Sequence, residues 1–262
     1  MNARRILTAL ALCCVAAVAL ARPRAEPNPD LAWREYAGIA DSTLPGYQFP
    51  FDTCFRAAAL AHNVPYTLLL AVARGESDFE PTARSKADAH GVMQILWPTT
   101  ARHLGIHRLS ELYEPCTNID AGARYLREML DRYDGDIHLA LAAYNYGPNR
   151  IPVGATRIPE GATWYSGYIY RHLDFVLGDT VVTARAGEQL YSELGRSTLV
   201  TFGEPYRAAA FVATMEQRAP GLELDWFREG TGAFSVVLVY ADREAFDASA
   251  ALLARAGYRL PD

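Results

Sequence analysis

The 262-residue chain is long enough for one large domain or two small ones, and half of it is hydrophobic, which excludes an intrinsically disordered protein. Its formal net charge of -5 excludes the Lys/Arg surplus on which non-specific nucleic-acid binding depends. We therefore expect no nucleic-acid partner.

The N-terminus is organised as a secretory signal. Two arginines, Arg4 and Arg5, precede a continuous apolar run that ends with the small-x-small sequence ALA at Ala21. The run is shorter than the roughly 20 residues that a membrane span needs. We therefore expect residues 1–21 to be a signal peptide cleaved near Ala21, which places the mature chain in the periplasm and leaves membrane association open. The alternative is an uncleaved anchor helix.

Helical patterns dominate the next part of the chain. Residues 22–46 are rich in proline and charge, which predicts a flexible leader. From residue 47 to residue 177, helical segments follow one another without a convincing strand. One of them is PYTLLLAVARGES, where Pro65 suits the first turn of a helix. Residues 47–177 therefore predict one mainly α domain.

The pattern changes after Gly178. Residues 178–196 predict a linker with a short helix of its own. Over residues 197–262 strand and helix patterns alternate, in the order STLVTFG, PYRAAAFVATMEQRA, LELDWF, FSVVLVY and DREAFDASAALLARAG. Strands this short, alternating with helices, predict a small α+β domain. The expected fold class is therefore a mainly α domain followed by a small α+β domain.

Two cysteines, Cys54 and Cys116, remain after removal of the signal peptide. An even cysteine count in an exported chain favours one disulfide bond. The bond would close a loop of about 60 residues and stabilise the fold by roughly 3–4 kcal/mol in the chain-entropy model. The alternative is a pair of buried thiols.

Glu76 ends the apolar helix, and the residues at i-3 and i-4 from it are apolar. Burial raises the pKa of a carboxyl group, and the dipole of a helix disfavours negative charge at its C-terminal end. A carboxyl group that stays protonated can act as the general acid of glycosidic cleavage. The neighbouring Asp78, Glu80 and Asp88 lie in a polar loop and are expected to face solvent. A lone buried acid fits substrate-assisted chemistry.

These residues also have less specific interpretations. Taken alone, Glu76 is more often a surface glutamate, or one paired with Arg74 or Arg84. His103 and His107 have a spacing found in metal sites, but no ligand-rich segment accompanies them. We therefore expect neither a metal nor a cofactor.

Several sequence blocks occur in an order that indicates a family. GES, GVMQI, PTTARHLG, CTNIDAGARYLREML and ALAAYNYGP together resemble the lytic transglycosylase domain of the soluble, goose-lysozyme-like kind. The resemblance implies a lysozyme-like fold for residues 47–177 and peptidoglycan glycan strands as the substrate. It also implies cleavage of the β-1,4 bond between N-acetylmuramic acid and N-acetylglucosamine, with a 1,6-anhydro product and no consumption of water.

Residue by residue, the resemblance places the catalytic acid/base at Glu76. The substrate-binding residues that it implies are Ser77, Met93, Gln94, Tyr144 and Asn145. The match weakens further on, because the family usually has Glu-Thr where this chain has Ala162-Thr163. The tyrosine that closes the site is either Tyr165 or Tyr168.

The resemblance extends to partners. The cysteine pair is similar to that of the smaller transglycosylases that accompany pili, secretion and conjugation machines, so such machinery is a second expected partner. Residues 197–262 resemble the SPOR domain, a β-α-β-β-α-β unit that binds glycan strands without peptides; the alternative is a structural or partner-docking domain. Two rival functions stay open, a muramidase that uses water and a non-catalytic wall-binding protein.

Overall fold

A computed structural model describes residues 28–178, 191–229 and 233–260 of the chain. The predicted signal peptide and the first residues of the predicted leader lie outside this range. The expected fold class is confirmed, because a mainly helical domain is followed by a three-stranded sheet with two helices. Within the described residues, no helix is both long and apolar enough to cross a membrane.

The helical domain contains seven α-helices and a short hairpin among its described residues. The helices are α1 (Pro29–Ala37), α2 (Asp52–His62), α3 (Tyr66–Ser77), α4 (Thr99–His103), α5 (Pro115–Arg132), α6 (Ile137–Tyr146) and α7 (Glu160–Leu177). The hairpin pairs β1 (Ala89–His90) with β2 (Ile95–Leu96) in antiparallel register. The expectation that this domain has no strand is therefore wrong at this point, where each strand has only two residues.

Helix α3 lies at the centre of the helical domain. The run from Leu68 to Ala73 is completely buried, and α3 packs against both α2 and α7. Gly75 allows the close approach of α7, because a Cβ atom there would lie 2.6 Å from Ile169 Cδ1. This crossing brings the middle of α7 to the C-terminal end of α3.

The expectation of a flexible leader over residues 22–46 is wrong for residues 28–46. Trp33 of α1 is only 1 % exposed, and its Nε1 donates a hydrogen bond to Ser166 Oγ at 2.9 Å. The Tyr36 and Thr67 hydroxyls are hydrogen-bonded at 2.8 Å. The proline and charge content of this segment obscures the helical pattern of α1. The two aromatic residues of this amphipathic helix are buried against α7 and α3.

The second domain contains β3 (Gly195–Phe202), α8 (Pro205–Arg218), β4 (Leu224–Arg228), β5 (Phe234–Tyr240) and α9 (Arg243–Arg255). The strands form one antiparallel sheet in the order β3-β5-β4. A local core joins this sheet to the helices through Leu199, Met215, Leu222, Leu238 and Leu253.

Two expectations for this part of the chain concern the linker and the resemblance to the SPOR domain. Strand β3 begins at Gly195, so the predicted linker over residues 178–196 ends earlier than expected. The first half of the helix predicted within it lies outside the described residues, and Tyr191–Glu193 form a 3₁₀ turn. Up to Leu260, the last described residue, no strand follows α9, so the described elements match the SPOR pattern only as far as its second helix.

The α+β domain packs directly on the helical domain. Trp226 of β4 and Phe234 of β5 belong to the same buried cluster as the core of the helical domain. The Trp226 ring lies 5.3 Å from the ring of Tyr168 and 6.3 Å from that of Trp164, both on α7. The second domain is therefore anchored beside the helix crossing that carries Glu76.

The predicted disulfide bond is confirmed, because Cys54 of α2 is bonded to Cys116 at the start of α5. Its ends are 62 residues apart in the chain. We expect Cys54→Ser to destabilise the fold by about 4 kcal/mol in the chain-entropy model and to lower Tm by roughly 8–16 °C. Thermal unfolding with and without dithiothreitol checks this, since the reductant should lower the Tm of the unmodified protein and leave that of the variant unchanged. Equal Tm values for both proteins would contradict it.

Candidate active site

Glu76 is buried at the last turn of α3, with 8 % of the residue exposed. It lines a cavity of about 650 Å³, the first cavity, together with Gln94, Tyr144 and Asn145. The carboxyl group therefore combines an apolar setting with access to a ligand, which is the setting that general-acid chemistry requires.

Two side chains from other elements contact the Glu76 carboxyl group. Tyr165 of α7 donates its hydroxyl to Glu76 Oε1 at 2.5 Å. Arg228 of β4 donates from Nη2 to Glu76 Oε2 at 3.5 Å. The alternative that Glu76 pairs with Arg74 or Arg84 is wrong, because these two arginines have other carboxylate partners.

Burial determines the protonation behaviour of Glu76. Desolvation raises the pKa of its carboxyl group, while the positive charge of Arg228 and the hydrogen bond from Tyr165 lower it, and desolvation prevails. The pKa of Glu76 is therefore higher than that of an ordinary glutamate. This is the direction that a proton donor needs near neutral pH.

The loop that connects β1 and β2 is held against α3 and α5. Ser77 Oγ donates to the carbonyl oxygen of Val92 at 2.7 Å. Asn118 Oδ1 accepts from the N–H of Met93 at 2.7 Å, and Asn118 Nδ2 donates to two further carbonyl oxygens. Met93 is completely buried, and a Cβ atom at Gly122 of α5 would lie 2.5 Å from its Cβ. The structure thus places the Met93 side chain in the core, away from the cavity wall.

Gln94, Tyr144 and Asn145 are brought together on the wall of the first cavity. Tyr144 donates its hydroxyl to the carbonyl oxygen of Met93 at 2.8 Å, which joins α6 to this loop. Gln94 Nε2 donates to the carbonyl oxygen of Gly91 at 2.9 Å. Ser77 lines a neighbouring cavity of about 390 Å³, the second cavity, in which Glu76 and Gln94 also take part.

The two candidate tyrosines of α7 have different positions. Tyr165 contacts the Glu76 carboxyl group directly. Tyr168 instead donates to the carbonyl oxygen of Gly75 at 3.0 Å and accepts from the N–H of Arg228 at 3.1 Å. Tyr165 is therefore the tyrosine placed to act on the acid, whereas Tyr168 joins the backbones of α3 and β4.

The nearby carboxylates do not contact Glu76. Asp78 is mostly buried and accepts hydrogen bonds from Tyr191 and Arg196, so the expectation that it faces solvent is wrong. Glu80 is exposed and accepts from the Thr82 N–H at 2.9 Å. Asp88, the third of these carboxylates, is partly exposed and pairs with an arginine. No second carboxylate in the described residues contacts Glu76, since its hydrogen-bonding partners there are a tyrosine and an arginine.

The chain is similar to known proteins over part of its length. Residues 53–155 match the model of the family described as the transglycosylase SLT domain. The transglycosylase of enterobacteria phage PRD1 is 37% identical over 50% of this chain and 46% of its own length. The soluble lytic murein transglycosylase of Escherichia coli K12 is 32% identical over 40% of this chain and 17% of its own. Among solved structures, the 70 kDa soluble lytic transglycosylase of Escherichia coli is 27% identical, with a TM-score of 0.43 and coverage of 49% of this chain and 25% of that one.

The part of the chain from residue 53 to residue 155 is thus similar to the transglycosylase SLT domain. The chain spans less than half the length of each of these relatives. The SLT domain match includes Glu76, both cysteines and every substrate-binding residue that the sequence predicts. This similarity is to the same family that the ordered sequence blocks indicate.

Two residues that contact Glu76 lie beyond the matched part of the SLT domain. Tyr165 was one of two candidates in the sequence, and only the packing of α7 on α3 decides between them. Arg228 had no sequence signal, because it lies in another domain, 152 positions after Glu76.

A buried ion-pair network fixes Arg228 and its strand in place. Arg74, on α3 and completely buried, donates to Asp225 of β4, which also accepts from Arg171 of α7. Arg74 Nη1 also lies 2.8 Å from His172 Nδ1. Burial raises the pKa of Asp225, but the two guanidinium groups outweigh it and hold the pKa well below that of an ordinary aspartate. The strand that carries Arg228 is thus attached to the helical domain by paired buried charges.

Proposed function

We propose that the protein is a peptidoglycan lytic transglycosylase that cleaves the β-1,4 bond between N-acetylmuramic acid and N-acetylglucosamine. The observation that carries this proposal is the burial of Glu76 on the wall of the first cavity, within a segment that matches the transglycosylase SLT domain. The relatives named above as lytic murein transglycosylases support murein, which is peptidoglycan, as the substrate.

In the first step, Glu76 donates its proton to the glycosidic oxygen of the leaving sugar. Desolvation raises the pKa of Glu76, which favours the protonated form before the reaction. Once ionised, the carboxylate accepts a hydrogen bond from Tyr165, which stabilises the charge that the step creates.

In the second step, the same carboxylate acts as base. It takes the proton of the muramyl C6 hydroxyl as that oxygen attacks C1, so a 1,6-anhydro ring closes and Glu76 is protonated again. No second carboxylate in the described part of the chain contacts Glu76, which fits chemistry in which the N-acetyl group of the sugar stabilises the cationic centre.

The mass of the released glycan tests this function. Purified sacculi digested by the protein should yield muropeptides with 1,6-anhydro ends, which mass spectrometry identifies because they are lighter by one water than reducing ends. Products with reducing ends would favour the rival muramidase instead. No release at all would favour the non-catalytic wall-binding protein.

Tyr165→Phe provides a test of the acid's environment. Removing a hydrogen bond to the ionised carboxylate, worth about 1.5–3 kcal/mol, should raise the pKa of Glu76 by roughly one to two units. The alkaline limb of the pH–rate profile should therefore move to higher pH, and the maximal rate should fall. Tyr168→Phe is the matched control, since this hydroxyl bonds backbone groups and should leave the limb in place. An identical shift in both variants would contradict a specific role for Tyr165.

We also propose that the mature chain acts in the periplasm. The Cys54–Cys116 bond supports this location, because disulfide bonds persist in oxidising compartments. Fractionation of cells that express the full chain should recover it with the periplasmic proteins, and recovery in the cytosol would contradict the proposal. A pilus, secretion or conjugation machine as partner stays a prediction, supported only by the similarity of the cysteine pair.

A further inference from the structure

Glu76 lies where the first and second cavities meet. Glu76, Gln94 and Arg228 line both cavities. The second cavity has part of the sheet of the α+β domain as its wall, including Phe227 and Val237. A glycan strand that extends to both sides of the acid therefore passes Arg228.

Arg228 differs from the other arginines of the second cavity in its counter-ion. The others pair with carboxylates that have no part in the proposed reaction, in the pairs Arg74–Asp225, Arg84–Asp88 and Arg196–Asp78. Among the described residues, the carboxylate paired with Arg228 is Glu76 itself. When Glu76 is protonated, Arg228 therefore loses its counter-ion in a largely buried position, which is costly unless another anion replaces it.

The backbone of Arg228 is fixed while its guanidinium group can be reached. Its N–H bonds the Tyr168 hydroxyl at 3.1 Å, and it pairs with Phe234 in the sheet. The side chain is 29 % exposed. A ligand in either cavity can therefore contact the guanidinium group without displacing the strand.

The other titratable groups that face Glu76 are phenols. They are Tyr144 of α6 and Tyr165 and Tyr168 of α7. Burial raises the pKa of Tyr168 to about 12 and those of the other two well above the ordinary value, so all three are neutral near pH 7. The charge that faces Glu76 from the described residues is thus that of Arg228.

We propose that Arg228 is a positioning residue that exchanges Glu76 for the lactyl carboxylate of a bound N-acetylmuramic acid. This inference rests on the proposed function. In the free enzyme the guanidinium group pairs with Glu76 and favours its ionised form. In the complex it pairs with the sugar, and Glu76, now without a counter-ion in an apolar setting, takes up a proton from solvent and becomes the acid.

The exchange assigns a specificity to the α+β domain. N-acetylmuramic acid differs from N-acetylglucosamine by a lactyl ether that ends in a carboxyl group. That carboxyl group is ionised in strands without stem peptides. Where a stem peptide is attached, it forms an uncharged amide. The protein should therefore prefer glycan strands that have been stripped of their peptides, and Arg228 is the residue that makes this distinction.

Two forms of one substrate test the exchange. Peptide-free glycan strands are compared with the same strands after their lactyl carboxylates are converted to methylamides. The unmodified protein should show a kcat/KM roughly 10- to 100-fold higher on the charged strands, because a hydrogen-bonded ion pair is lost on the amidated ones. Arg228→Met should lose this preference. On amidated strands, the alkaline limb of its pH–rate profile should lie at higher pH than that of the unmodified protein. Arg228→Lys should keep part of the preference.

The control and the contrary outcomes are defined by the same assay. Arg150→Met removes an exposed cation of the first cavity and should keep the preference for charged strands. A preference that survives in Arg228→Met, or disappears in Arg150→Met alone, overturns the exchange. If Arg228→Met does not fold, equal rates of the unmodified protein on both strands overturn it instead. Anhydro products from either strand keep the proposed function intact in all of these cases, and only their absence would count against that function.

Discussion

Replacing Glu76 with Gln should reduce the release of glycan from sacculi by about 100- to 10,000-fold or more while the fold stays intact. The amide has nearly the shape of the carboxyl group but cannot donate an acidic proton or act as base. Turnover of purified sacculi by the variant, with circular dichroism as the check on folding, measures the loss. Glu128→Gln is the matched control, because Glu128 is partly exposed on α5 and pairs with His103 and Arg124.

The stability of the same variant reports the pKa of Glu76. A carboxyl group whose pKa is raised by folding destabilises the protein as the pH rises above its unfolded value of about 4.3. The amide does not titrate, so the Tm of Glu76→Gln relative to the unmodified protein should increase with pH until the folded pKa is passed. A Tm difference that is constant from pH 4 to pH 8 would mean that Glu76 is not desolvated.

Replacing Asp225 with Asn should lower the free energy of unfolding by about 3–5 kcal/mol, an effect comparable to that expected for Cys54→Ser. The substitution leaves Arg74, which is completely buried, without its counter-ion and weakens the attachment of β4 to α3. The expected fall in Tm is roughly 6–20 °C. Activity should fall as well, because the same strand holds Arg228 beside Glu76.

Chemical denaturation of two variants checks the role of this pair. Asp247→Asn is the matched control, since Asp247 pairs with Arg243 on the surface of α9 and should contribute at most about 1 kcal/mol. Because folding depresses the pKa of Asp225, its contribution is present above the unfolded value of about 3.9 and is lost as the pH falls below it. Equal destabilisation by both substitutions would contradict an attachment of the α+β domain through Asp225.

Much of the fold follows from local sequence patterns. The sequence PYTLLLAVARGES predicts a helix that the structure places at Tyr66–Ser77, and FSVVLVY predicts a strand that it places at Phe234–Tyr240. Both segments have long apolar runs with clear ends. The hairpin at Ala89–Leu96 could not be predicted in this way, because strands of two residues are too short to show an alternation of apolar and polar residues. Helix α1 could not be predicted either, because it has few apolar residues. Its proline, Pro29, suggests a loop although it is the first residue of the helix.

Some residues of the candidate site could likewise be predicted from the sequence, and others could not. Glu76, Gln94 and Tyr144 could be predicted because they stand in motifs within one continuous segment, and the structure brings them to one cavity. Met93 stands in the same motif, yet its side chain is directed into the core, since the spacing of a motif does not determine side-chain direction in an irregular loop. Arg228 could not be predicted, because its position beside Glu76 results from the docking of two domains.

The fate of solvent oxygen tests the central claim most directly, namely that Glu76 drives an attack by the sugar's own C6 hydroxyl without using water. Sacculi are digested by the unmodified protein in water enriched in heavy oxygen, and the released muropeptides are weighed by mass spectrometry. We expect anhydro ends that contain no heavy oxygen. Reducing ends that have incorporated one heavy oxygen per cleavage would contradict the account.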